Sequence, residues 1–300
     1  MMVGVERQKA IPVQDDRSEA EGMKMLWRQY ARNRSAIVGS VVVMAIALLA
    51  IFAPVLTPYH PSEDFDLSQT LLPPGSKGHP LGTDTNGRDL LSRMLFGARI
   101  SLTIGLVVQA ISVTIGTTAG LLAGYLGGRV DEVFSGVINI IYSFPSLLFA
   151  IATMSVLGPG LYNIFFALGF IGWATVARLV RGEVLSAKSR DFIEAARASG
   201  ATPARVMLRH LLPNCLGPIV VVGTLGVAGA IMSEATLSFL GLGIQPPAPS
   251  WGSMLSRGRE YIWIAPHLTI IPGIAIFITV LGLNLLGDGL RDIFDPRLKE

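Results

Sequence analysis

A single cysteine in 300 residues, Cys215, excludes a disulfide framework and any metal centre built from several thiolates. Charge is scarce as well: 15% of residues are Asp, Glu, Lys or Arg, where ordinary soluble chains carry about a quarter. No GxxxxGK[ST] run occurs, so the chain has no phosphate-cradling loop for ATP, and no HExxH zinc motif occurs either. The four histidines (His60, His79, His210, His267) are scattered along the chain, which argues against one shared metal site. Internal repeats and low-complexity tracts are absent too. What fills the chain is apolar side chain, at 51%, with a mean hydropathy of +0.54 and 33 glycines. That make-up suits helices packed closely in a bilayer.

Uncharged runs long enough to cross the roughly 30 Å hydrocarbon core divide the chain. They cover residues 37–56, 100–128, 211–242 (interrupted by Glu234) and 268–287. The run over 133–177 is too long for one crossing and holds Gly158-Pro159-Gly160 at its middle, so it reads as a hairpin of spans near 137–157 and 161–177. The expected class is therefore all-α, a polytopic membrane protein with six transmembrane helices. The first run is too long, and its polar leader too extended, for a cleaved signal peptide. With the N-terminus inside, 18 of the 24 basic residues fall on the cytoplasmic side, which predicts cytoplasmic N- and C-termini. The net charge of +3 is then an orientation signal and does not call for nucleic acid.

Residues 1–22 read as a mobile cytoplasmic tail, and 23–34 as an interfacial helix with Trp27 and Tyr30 as anchors. Residues 23–99 join that helix, the first span and an outer loop; 100–290 hold the other five spans; 291–300 form a second tail. Leu90, Leu91, Met94 and Leu95 share a helical face and predict a short helix lying in the outer interface. Gly116, Gly120 and Gly124 recur every fourth residue and predict a close helix contact; Gly223, Gly226 and Gly229 suggest another smooth face.

Between spans four and five, Asp191 reads as an N-cap with Glu194 completing a capping-box-like pair. Gly200 is placed to end that helix in the left-handed conformation, and Thr202-Pro203 starts a second short helix. Pro213 is expected to stop or kink the chain where span five begins. Two short helices would thus protrude on the cytoplasmic side, the first with a small-residue surface suited to docking.

Glu194-Ala195-Ala196, Gly200 and Leu212-Pro213 resemble the EAA loop of ATP-binding-cassette importer permeases, with His210 where that pattern has Ile. Further stretches are similar to the second permease of dipeptide, oligopeptide and nickel importers. They are His79-Pro80-Leu81-Gly82-Thr83-Asp84 with Gly87-Arg88-Asp89; Ser238-Phe239-Leu240-Gly241-Leu242-Gly243; Gln245-Pro246-Pro247 with Trp251-Gly252; and Asn284-Leu285-Leu286-Gly287-Asp288. The resemblance implies a type I ABC importer permease fold with a cytoplasmic coupling helix, in the bacterial inner membrane. On that reading Asp191, Phe192, Glu194, Ala195, Ala196, Gly200, Leu212 and Pro213 couple to an ATPase. It further implies a heterodimer with a second homologous permease, two ABC ATPase subunits that carry ATP and Mg, and an extracytoplasmic substrate-binding protein. This chain itself would bind no cofactor and catalyse nothing. Peptides are the expected cargo, with glutathione or a nickel complex as alternatives.

Glu234, alone in an apolar run, reads either as a pathway or gate residue or as a structural hydrogen bond at a helix end. The loop over 241–267, with Trp251 and Arg257, and the 76–99 segment with Arg88 form either a landing surface for the binding protein or, in the aromatics' case, a lipid anchor. A secondary transporter would need inverted repeats and midplane ion ligands, and an intramembrane enzyme a nucleophile or acid pair; neither pattern is present.

Overall fold

The computed structural model describes residues 27–294, so the 1–22 tail, residues 23–26 and residues 295–300 lie outside the described residues, while 291–294 continue the last helix where a tail was expected. Among those described, no β-sheet forms; two isolated bridges, Ser76 with His79 and Thr83 with Asp89, tie one loop together. Residues 27–32 are helical, with Trp27 exposed and stacked on Tyr30. Helix α1 (Arg34–Ile51) follows, capped by the Asn33 side chain accepting from the Ala36 amide. Pro54 then sits in the first turn of the short α2 (Ala53–Leu56). The remaining helices are α3 (Leu90–Leu126), α4 (Gly128–Tyr142), α5 (Ser146–Leu157), α6 (Leu161–Lys188), α7 (Asp191–Ala198), α8 (Pro203–Val206), α9 (Leu212–Phe239), α10 (Trp251–Gly258) and α11 (His267–Phe294).

Five helices are long and apolar enough to cross a membrane, with α8 and α9 counted as one continuous element. The sixth crossing is a broken one. Helices α4 and α5, at about 22 and 18 Å, are each shorter than the hydrocarbon core, and they meet at an 88° bend over Ser143–Pro145. Packing requires this pair to cross. The glycine ladder of α3 lies on α6 in parallel register: a Cβ on Gly116 would be 2.6 Å from Val176 Cβ, on Gly120 2.7 Å from Val180 Cβ, and on Gly124 2.8 Å from Val184 Cβ. Only glycine lets the two backbones come this close. Because α3 and α6 run the same way, the chain between them must return through α4 and α5, then turn at Gly158–Gly160.

Three sequence expectations are corrected here. The short outer helix is the first part of α3, which runs unbroken for 37 residues, about 55 Å, from its cap at Asp89. Arg93, within that added stretch, is buried, with its guanidinium donating to the Pro61 carbonyl at 2.8 Å and paired with Asp84 at 3.3 Å. Helix α6 likewise continues past Ala177, because Arg181 forms a two-bond pair with Asp131 of α4 (2.5 and 2.7 Å) and Arg178 stacks 4.2 Å over Tyr142. Among Gly223, Gly226 and Gly229, only Gly226 is closely approached, and by the Gln109 side chain.

Candidate functional site

Three places carry the chemistry, and the packing fixes their relation. The first is a cleft of about 370 Å³ between α3, α5, α6 and α9. Its polar lining is Gln109 and Ser112 from α3, Ser146 from α5, Thr175 from α6, and Ser233 and Thr236 from α9; no charged side chain borders it. Ser112 donates to the Gly169 carbonyl, Ser233 to Gly229 and Thr236 to Met232 (2.8–3.1 Å). Each hydroxyl thereby spends its one proton on backbone and keeps acceptor lone pairs for the cleft. The sequence reading did not single out these residues. The available signal was spacing: Gln109 with Ser112 and Ser233 with Thr236 are three apart, hence on one helical face each.

The second place is the α7 loop. Helix α7 is held by one buried residue, Ile193, fully enclosed in a cluster with Val180 and Val184 of α6, Val206 of α8, and Leu211 and Cys215 of the α9 element. Arg197 adds a contact 5.1 Å over the Tyr125 ring of α3, and Lys188 donates to the Tyr125 carbonyl at 2.7 Å. Asp191, Phe192, Glu194 and Ala195 are exposed, and Ala196 is half-buried. Gly200 has φ +79°, with its amide donating to Arg197 and that of Ala201 to Ala196, which is a complete Schellman termination. The capping expectation for Asp191 is corrected: Arg190 holds the cap position without a side-chain bond. Asp191 and Glu194 instead place negative charge in the first turn, where the helix dipole favours it.

Thr202 caps α8 with Pro203 at its start, as expected. Pro213 does not stop the chain, however, and the second short helix is the beginning of span five. A π-turn over Met207–Leu211 joins α8 to α9, so the Leu212 amide reaches back to the Met207 carbonyl. The widened turn accommodates a proline that cannot donate, and the Asn214 side chain satisfies the His210 carbonyl at 2.7 Å. Leu212 is half-buried beside the Ile193 cluster, while Pro213 is exposed.

The third place is the opposite, α10 end of the bundle. His79 bonds Asp89 at 2.9 Å, and the Asp84 carboxylate accepts from the Asn86 and Arg88 amides, so the His79–Asp89 stretch is a self-tied loop. Arg88 and Arg257 are half-exposed and lie near Asp84. Burial lowers the Arg257 guanidinium below the usual arginine range, Asp84 raises it and Arg88 lowers it; it remains a cation at working pH. Trp251 is corrected: at 3% exposure it can touch no partner. Its indole N–H donates to the Met94 carbonyl at 3.0 Å and its backbone amide to Ser101 at 3.2 Å, pinning α10 to α3. Glu234 does not line the cleft. It is buried between α9 and α10, where its Oε1 accepts from Ser238 at 2.6 Å and Ser250 at 2.8 Å.

Comparison with known proteins agrees with this architecture. Residues 116–300 match the family described as the binding-protein-dependent transport system inner membrane component. Residues 23–74 match the N-terminal TM domain of oligopeptide transport permease C. The chain is 43% identical to the di/tripeptide transport system permease protein DppC of Pseudomonas aeruginosa, over 92% of this chain and 93% of that one. It is 45% identical to the glutathione transport system permease protein GsiD of Shigella flexneri, over 91% and 90%. Among solved structures, an inward-facing form of the MetNI methionine ABC transporter superposes with a TM-score of 0.54 at 22% identity, covering 66% of this chain and 94% of that one, which supports the fold. A bundle of six crossings around an uncharged cleft, with an exposed short helix at one end, thus belongs to the binding-protein-dependent transport family, and the chain is an inner-membrane permease subunit of an ABC importer.

Proposed function

We propose that this permease forms half of the translocation pore for di- and oligopeptides, paired with a second, related permease. Two ABC ATPase subunits sit at the α7 end, and α7 with its flanking residues docks into one of them; ATP and Mg belong to those subunits. A substrate-loaded binding protein meets the α10 end, where Arg88 and Arg257 contribute to its landing surface. Both termini are cytoplasmic. The observation that carries the reading is the attachment of α7. Its single plug, Ile193, enters the same cluster as Val176 and Val180 of α6, and Val176 also lines the cleft. A push on α7 is therefore delivered through packed side chains to the cleft wall. Close-packed interiors respond to such pushes by switching between discrete arrangements.

The cleft favours peptide cargo. Its uncharged, mainly apolar wall carries a few amide and hydroxyl groups that can pair with a peptide backbone without selecting for side-chain charge. The named relatives handle di/tripeptides and glutathione, itself a tripeptide. Proteoliposomes holding both permeases, both ATPases and the binding protein should accumulate labelled di- or tripeptide only with ATP; uptake driven by an ion gradient alone would overturn the proposal. For orientation, Lys77→Cys should react with an impermeant thiol reagent from outside, and Ser189→Cys only after permeabilisation. Native Cys215 is buried and should contribute little background. The reverse pattern would invert the topology.

A further inference from the structure

We propose that Glu234 is a positioning residue that locks the outer helix α10 to the cleft-lining helix α9, so that a load applied at the α10 end moves the cleft wall. The inference rests on the importer reading above, in which a binding protein meets that end.

Four observations converge on it. Glu234 is 1% exposed in an otherwise uncharged helix, and its Oε1 accepts both the Ser238 hydroxyl of its own helix and the Ser250 hydroxyl. Ser250 is the N-cap of α10 and closes a reciprocal capping box with Ser253, at 3.0 and 3.1 Å. The carboxyl is thus bonded to the one residue that organises the start of α10. The backbones are also in contact there: a Cβ on Gly252 would stand 2.6 Å from Ala235 Cα and 3.2 Å from Glu234 Oε1. Through Trp251 the same helix α10 is bonded to α3. It therefore grips two of the four helices that wall the cleft.

The residues flanking Glu234 on α9 face the other way. Met232, Ser233, Thr236 and Leu237 all line the cleft. Within one turn α9 presents a lock to α10 and a wall to the pathway, so a rotation imposed by the lock is a displacement of the wall.

The second carboxyl oxygen, Oε2, is buried and has no hydrogen-bond partner among the described residues. Static packing would be served as well by an apolar side chain, without an unsatisfied buried acceptor. A carboxylate kept at this joint, with one oxygen bonded to both hydroxyls, is therefore placed to hold the two helices in register.

The test uses the complete reconstituted complex and measures ATP hydrolysis with and without saturating substrate-loaded binding protein. Glu234→Ala and Ser250→Ala should each reduce the stimulated-to-basal ratio about fivefold or more, with the basal rate kept. The double variant should lose no more than either single one. Glu234→Gln, which preserves an oxygen for both hydroxyls, and Ser250→Thr, which preserves the hydroxyl, should restore most of the ratio. Should Glu234→Ala fail to assemble, Ser250→Ala decides alone, since Ser238 still satisfies the carboxyl. Unchanged ratios with lowered thermal stability would show the lock to be structural only and overturn the inference while leaving the importer reading intact. A wild-type complex that the binding protein fails to stimulate would overturn both.

Discussion

Replacing Ile193 with alanine isolates the attachment of α7 from everything else the helix does. The substitution removes three carbons from a fully enclosed side chain. At about 0.8 kcal/mol per buried methylene, plus a cavity term, docking of α7 should weaken by roughly 2–4 kcal/mol. No other residue of α7 is buried, and a helix of eight residues has little stability of its own. The Arg197–Tyr125 contact retains only about 0.5–1 kcal/mol at an exposed site. The docked-to-undocked ratio should therefore fall by roughly two orders of magnitude. Amide hydrogen exchange reads this directly. The Ser199, Gly200 and Ala201 amides, which bond to Ala195, Arg197 and Ala196, should exchange about a hundredfold faster, and ATP-driven uptake should collapse while the spans stay inserted. Ile193→Val, at about 0.5–1.5 kcal/mol, should give an intermediate phenotype. Unchanged protection together with full uptake in Ile193→Ala would refute the idea that this one plug carries the load.

Gly200→Val puts a β-branched residue at φ +79°, with no neighbour within 4 Å of the new Cβ, so backbone strain of about 1–2 kcal/mol is its whole cost. Uptake should fall with Gly200→Val and be largely kept with Gly200→Asn; equal uptake by both would dismiss the left-handed requirement. Gly120→Leu drives a side chain into Ala177 and Val180 and should abolish the folded permease, seen as loss of the monodisperse detergent-solubilised species; a well-behaved variant would contradict the α3–α6 register. Arg88→Glu combined with Arg257→Glu should weaken binding-protein stimulation most at low salt, whereas Trp251→Ala should lower thermal stability, by about 3–5 kcal/mol. A salt-independent, undiminished stimulation in the arginine double variant would remove both residues from the landing surface.

How much of this was readable in advance depended on whether a residue's role is local. The Gly116–Gly120–Gly124 ladder, the Gly158–Gly160 turn, the left-handed Gly200 and the Thr202-Pro203 start follow from backbone geometry within a few residues, and all four stand. The span boundaries drawn at Arg99, Arg178 and Asp288 did not, since α3, α6 and α11 run through them. A cation without a partner does not enter a bilayer, yet Arg178 finds Asn139 and the Tyr142 ring on α4, and Arg99 lies over the Phe96 ring of its own helix. Trp251 shows the same limit from the apolar side, since an aromatic flanked by polar residues fits a lipid interface as well as a buried joint. The cleft was legible only in part. Single serines and threonines in apolar helices ordinarily bond to their own backbone, as Ser233 and Thr236 do, and only packing shows that they also share a cavity.

The central claim is that α7 hands the work of a separate ATPase to this chain, and contact mapping at α7 tests it most directly. A photo-crosslinking side chain at Ala195, exposed on the docking face, should capture the ATPase subunit in the assembled complex, with a yield that changes when ATP hydrolysis is trapped. The same group at Lys77, at the α10 end, should capture no ATPase. Capture of the ATPase from Lys77 but not from Ala195, or from neither position in a complex that still hydrolyses ATP, would contradict the account.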